Sequence, residues 1–371
     1  MRPVFSGPKQ AAAFALLLLV LLAGPLLSTG KIGRQQREKY SSQTIRWEMF
    51  PWVQKFIYEE TNDIDIAFVG SSHICDGIDT PYVQKALEER LGRPAVVRTV
   101  GWYNPGFDSL YFCSKDLLAH RHVKMLVFYD ECSGPQLYEV HKVLPQWFRW
   151  SENDGVLQGL AFKYRAIFYY AAVLGMPRQW LQVLTSNLRP EPSDVLTGNF
   201  AYKHSANPEI QLGSMATHLG FDPTYVDSNA NYIAYAPQTV TTPADVTLYS
   251  PATATNFAFS ERPLPETEIY FARQFALLAR SNNCNLVELH MPAIDEKKSP
   301  TMIETRNWAE LMQTPVTMMG VTPQHLFSGL SESEMELLFA DPGHLNINGQ
   351  KYFTRLITPT LLQLYESNLQ H

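Results

Sequence analysis

Apolar residues recur along this chain in two rhythms that alternate with each other. Ile64-Asp65-Ile66-Ala67-Phe68-Val69-Gly70 is a short run rich in β-branched residues that stops at a glycine. Such runs are buried strands more often than helices. Ala95–Val100, Val123–Tyr129 and Asn285–His290 have the same character. Between them the spacing changes. Tyr82, Val83, Ala86, Leu87 and Leu91 recur at helical intervals, opened by Thr80-Pro81 and closed by Gly92. Helices are also expected near 108–119, 266–280, 302–312 and 349–365. Strand-helix units in succession imply an α/β domain with a parallel sheet and right-handed crossovers.

The alternation breaks twice. Residues 140–185 read as an aromatic-rich helical stretch, and 186–264 lack periodicity and are rich in Pro, Thr, Ser and Asn. A structureless loop that long is unusual unless it serves a function, so 140–264 is read as a large insertion, a lid or a substrate wall. At the other end, Ala11–Leu27 is unbroken apolar and small sequence preceded by Arg2 and Lys9. Its length is at the lower edge for a bilayer span, and no A-x-A cleavage site follows it. An uncleaved N-terminal transmembrane helix is therefore favoured over a signal peptide. Lys31, Arg34, Arg37 and Lys39 follow the run and weaken the positive-inside argument for its orientation. The expected division is 1–30 as membrane anchor or signal segment, 31–62 as stalk and first packing segment, and 63–371 as the α/β domain that carries the insertion.

Composition narrows the function classes. Across 371 residues, 45% are hydrophobic and 18% charged, which supports a full core and excludes wholesale disorder. A formal charge of -6 argues against a nucleic-acid partner, which would call for a basic face. Cys75, Cys113, Cys132 and Cys284 stand far apart with no C-x-x-C pair, so no metal cage is indicated. They are either buried thiols or one or two disulfides. His120 and His122 have two-ligand spacing on an extended segment, but no third ligand is near in sequence. No metal or other cofactor is expected.

In a parallel α/β sheet, ligands bind beyond the carboxyl ends of the strands. Ser71-Ser72, Gly101–Gly106, Asp130-Glu131 and Met291-Pro292 all fall at such ends. A serine there is either a nucleophile, given a base and an oxyanion site, or a hydroxyl capping the following turn. The candidate base lies in Asp341-Pro342-Gly343-His344-Leu345-Asn346-Ile347-Asn348-Gly349, which also reads as a good turn opening an amphipathic helix. His73 follows the two serines and either touches substrate or packs locally.

Gly70-Ser71-Ser72 after a strand and Asp341-x-x-His344 followed by Gly349 together resemble the first and last motif blocks of the SGNH (GDSL-like) hydrolase superfamily. Gly-Ser-Ser-His with an apolar segment upstream is similar to its membrane-anchored extracytoplasmic branch, which includes cell-envelope acyl-transfer proteins. The resemblance implies a three-layer α/β/α, flavodoxin-like sheet. It makes Ser72 the nucleophile, with Ser71 as the alternative, His344 the general base, and Asp341 the residue that fixes the imidazole. It also implies an oxyanion site from the Ser72 N–H and a second-block glycine, with Gly106 preferred to Gly101. The third block departs from the family, because Phe128-Tyr129-Asp130-Glu131 has no asparagine. Either Asn104 replaces that donor, or Asp130 and its neighbour bind a substrate hydroxyl or amine. The implied activity is serine-dependent acyl-ester hydrolysis or O-acyl transfer on an envelope polysaccharide or glycan. The implied partners are an acylated glycan or other ester substrate, the membrane, and a membrane-bound acyl donor protein. A non-catalytic scaffold of a polysaccharide-modifying complex and a lipid esterase are the alternatives.

Overall fold

The computed structural model describes residues 7–28, 53, 55–101, 106–129, 155–168, 246–248, 256–298, 302–339 and 342–368. The chain divides into two units, residues 1–45 with 136–203, and 46–135 with 204–371. In the first unit the apolar N-terminal segment forms one helix, α1 (Pro8–Ser28). Phe14, Leu16, Leu17, Leu18, Leu19 and Val20 on it are exposed. Side chains beyond Val20 lie outside the described residues, and among the described residues no helix is long and apolar enough to cross a membrane. The expected transmembrane helix is thus not found there. Of the expected helical stretch 140–185, the described part is helical at 155–158 and 162–168.

The second unit is built on β1 (Ile64–Gly70), whose seven residues are all buried. An apolar run with no exposed alternation can only sit inside a sheet covered on both faces. The chain continues through α2 (Ser72–Gly77) and α3 (Thr80–Leu91) to β2 (Val97–Gly101). It then follows α4 (Phe107–His120) to β3 (Val123–Phe128). After the excursion come β4 (Val246–Leu248), β5 (Phe257–Phe259), α5 (Glu266–Ser281) and β6 (Asn285–Leu289). They are followed by β7 (Ile303–Thr305), α6 (Trp308–Met312) and β8 (Thr317–Val321). Two short helical turns, Pro323–Leu326 and Glu332–Glu336, precede the closing helix α7 (Ile347–Asn368).

The main sheet has the order β2-β1-β3-β6-β8-β4. Every pairing is parallel except β4 with β8, which is antiparallel. Without that edge strand the order is compatible with a flavodoxin-like sheet. Ile66, Phe68, Met125, Val127, Val287, Leu289, Met319 and Val321 form one face and pack with α2, α3 and α7 residues such as Ile74, Leu87 and Phe353. The opposite face is aromatic: Phe128 meets Phe275 at 5.6 Å and Trp308 at 5.8 Å, and Phe107 joins them. The α/β expectation with a mostly parallel sheet therefore holds.

Several local expectations are corrected. The helix expected over 302–312 is a strand followed by a short helix. Ile303 and Thr305 point inward around exposed Glu304 and pair with Phe257–Phe259 in a two-stranded sheet. The helix begins only at Trp308, where the Asn307 side chain caps it by accepting from the Glu310 N–H. Residues 186–264 are poor in periodicity, yet the short strands β4 and β5 lie within them. The strand β8 and the helix α2 were not anticipated. Among the described cysteines, Cys75, Cys113 and Cys284 are free and buried.

Candidate active site

The turn that presents Ser72 depends on two glycines. Gly70 ends β1 in register with Gly101 at the end of β2. A methyl group on Gly101 would collide with the Gly70 carbonyl oxygen, and one on Gly70 would come within 2.8 Å of Ile74. Ser71 then adopts an extended conformation (φ -86°, ψ -170°) as the N-cap of α2, and its hydroxyl accepts from the His73 N–H at 3.3 Å. A capping hydroxyl satisfies one of the donors that a helix start leaves open. Both serines thus acquire distinct positions. Ser71 carries the cap, and Ser72 is the first residue of the helix, buried at the carboxyl edge of the sheet.

His344 arrives from a loop that is tied down at each end. Phe339 and Leu345 form an antiparallel bridge across its neck. The Asn346 amide donates to the carbonyls of Leu337 (2.8 Å) and Phe339 (3.1 Å), while its oxygen accepts from the N–H groups of Asn348 and Gly349. One buried side chain therefore closes the loop and caps α7. Gly349 allows α7 to start against the loop, since a methyl there would strike the Leu338 carbonyl oxygen. The Gln350 amide donates to the Asp76 carbonyl at 2.7 Å, docking α7 onto the helix that carries Ser72. From the β6 side, the Ile294 N–H donates to the Pro342 carbonyl at 2.9 Å.

These ties bring Ser72 Oγ to 2.8 Å from His344 Nε2 across a separation of 272 residues. With the imidazole proton on Nδ1, the serine hydroxyl donates to Nε2, the geometry in which a histidine can take that proton. The neighbouring Cys75 is buried. Burial, reinforced by the charge of Asp76, pushes its thiol well above the usual range and keeps it protonated.

Of the other expected site residues, Asp341, Asn104 and Asp130 lie outside the described residues. Gly101 is occupied in the close strand approach just described. Gly106 is the N-cap of α4, and the next N–H, that of Phe107, donates to Glu268 at 2.9 Å. His73 stacks on His344, ring centroids 4.1 Å apart and planes 22° apart, and meets the Tyr129 ring at 4.9 Å. Among the described residues, no group of three or more His, Cys, Asp or Glu could hold a metal.

Sequence reasoning missed three supporting residues. Tyr129 stands at a strand exit, a signal that was available. Gln350 and Glu268 carried none, because their partners lie 274 and 161 residues away. Glu268 faces Asp108 in the interior, and burial together with that neighbouring carboxyl pushes it up to about 8. His290, at the exit of β6, is bracketed by both Glu296 oxygens at 3.1 and 3.0 Å. No family model matches the chain, and no curated protein matches it.

Proposed function

We propose that this chain is a serine-dependent acyl-ester hydrolase or O-acyltransferase of the SGNH kind, acting on a cell-envelope polysaccharide or glycan. The observation that carries the reading is the 2.8 Å contact between Ser72 Oγ and His344 Nε2 at the carboxyl edge of a parallel sheet. That edge is where α/β folds of this kind bind their ligands. Ser72 attacks the ester carbonyl as its proton passes to Nε2. The tetrahedral intermediate then expels the alkoxide, which takes the proton from His344 as it leaves. Water or a sugar hydroxyl, deprotonated by His344 in turn, attacks the acyl-Ser72 ester and regenerates the serine. Asp341, three residues before His344, is assigned the role of holding the imidazole by Nδ1. The Ser72 N–H, in the first turn of α2 with no intrahelical acceptor, supplies one oxyanion donor.

The exposed apolar side chains of α1 support a further part of the reading, that this segment attaches the chain to a membrane and leaves the catalytic unit on the envelope side. The acyl group would then reach Ser72 from a membrane-bound donor protein or a soluble ester.

The test is turnover of p-nitrophenyl acetate by the purified chain, with and without an acceptor oligosaccharide, read by p-nitrophenolate release and by mass of the acceptor. Hydrolysis that is lost in Ser72→Ala supports the esterase arm, and a mass gain of one acetyl on the acceptor supports transfer. Neither product from a folded chain would favour a scaffold role.

A further inference from the structure

His344 is not held only through its own loop. The His73 ring stacks on that of His344 and packs at a tilt against that of Tyr129, so that three distant stretches of chain meet: the exit of β3, the first turn of α2 and the loop before α7. The His73 and His344 planes differ by 22° at 4.1 Å, and those of His73 and Tyr129 by 34° at 4.9 Å. Ser71 Oγ also lies 3.3 Å from His73 Nδ1. The Ser72 hydroxyl, by contrast, pairs with His344.

From this we infer that His73 is a positioning residue for the catalytic base, a flat wall that sets the rotation of the His344 ring. The inference rests on the proposed role of Ser72 and His344. An imidazole turns about two bonds, and the outer one has only a broad, weak preference. A parallel ring against one face removes most of that freedom and leaves Nε2 aimed at Ser72. The wall must itself be rigid to do this. The Tyr129 ring packed against it, 4.9 Å away, supplies that rigidity, and the Ser71 contact adds to it without being required. What the position requires is a planar ring rather than a ring nitrogen. Misplacement of a reacting group by an ångström costs up to about a hundredfold in rate.

The experiment is the rate at which a small fluorophosphonate modifies Ser72 in the full chain, for wild type, His73→Ala, His73→Gln and His73→Phe. Thermal melts run in parallel to show that each variant is folded. The expected result is a roughly tenfold to hundredfold fall in the maximal inactivation rate for Ala and Gln, with little change in half-saturating probe concentration. His73→Phe, which keeps the plane but not the nitrogens, is expected within about threefold of wild type. Equal rates in wild type and His73→Ala would overturn the inference while leaving the reading of Ser72 intact. So would a Phe variant as slow as Ala, which would assign the effect to the imidazole nitrogens. A wild-type chain that is not modified at all would overturn the reading of Ser72, and this inference with it.

Discussion

At the scale of single residues, the site is set by places where no side chain fits. Gly101 and Gly349 each face a backbone carbonyl oxygen, of Gly70 and Leu338, that a methyl group would strike. Backbone cannot swing aside as a flexible side chain can, so overpacking there costs about 1–3 kcal/mol. Gly349→Ala is therefore expected to lower stability by about 2 kcal/mol in chemical denaturation and to reduce ester turnover more than its stability loss explains. The extra loss arises because Leu338 and Asn346 also set the His344 loop. Unchanged turnover in Gly349→Ala would separate that contact from the site. Gly349 was legible in the sequence as part of a motif. Its steric reason was not, because the carbonyl it faces belongs to a loop whose path only the fold defines.

At the scale of elements, the loop between the Phe339–Leu345 bridge and α7 works as one unit with Asn346 as its clasp. Removing that side chain leaves the Leu337 and Phe339 carbonyls without their amide donor and uncaps α7. A lost cap costs about 1 kcal/mol and each buried unsatisfied group about as much again. Asn346→Ala should thus lose about 2–3 kcal/mol, measured by urea denaturation, and Asn346→Asp should recover the capping part only. Legibility at this scale followed periodicity. β1, β3 and α5 show clean runs, and their bounds agree with expectation to within a residue or so. Residues 302–312 misled because Ile303 and Thr305 are inward-facing strand residues placed just before a helix, so the two elements merged into one helical pattern. β8 carries little signal in the sequence because Thr317–Val321 is a short apolar run with a glycine inside it. That glycine is required, since a methyl at Gly320 would come within 2.9 Å of His290.

At the scale of the whole molecule, two buried acids bend the pH dependence of stability in opposite directions. Asp65 lies inside the start of β1. Burial alone would raise its carboxyl, but bonds from Arg93, Lys124, Tyr365 and the Val96 N–H outweigh that and hold it well below the usual range. A depressed carboxyl stabilises the fold above its unfolded value of about 3.9, and that stability drains away as the pH falls below it. Glu268 does the reverse. Burial first, then Asp108, raise it to about 8, so the native state holds a proton that the unfolded chain releases above about 4.3. Stability consequently declines as pH climbs from about 4.3 towards 8. Glu268→Gln keeps an acceptor for the Phe107 N–H and removes the titration. It should raise the melting temperature at pH 8 and change it little at pH 4.5, and a uniform shift at both would contradict this. Asp65→Asn should cost about 2 kcal/mol at pH 7, since charged hydrogen bonds contribute about 1.5–3 kcal/mol each and Arg93 is partly solvated. It should also flatten the acid limb of the curve.

The central claim is that Ser72 is an activated nucleophile whose base is His344. Intact mass of the full chain after fluorophosphonate treatment, followed by peptide mapping, tests it most directly. The account predicts one adduct, on Ser72, absent in Ser72→Ala and slowed by about a thousandfold in His344→Ala. An adduct on Ser71, one that forms as fast without His344, or none in a chain shown to be folded would contradict it.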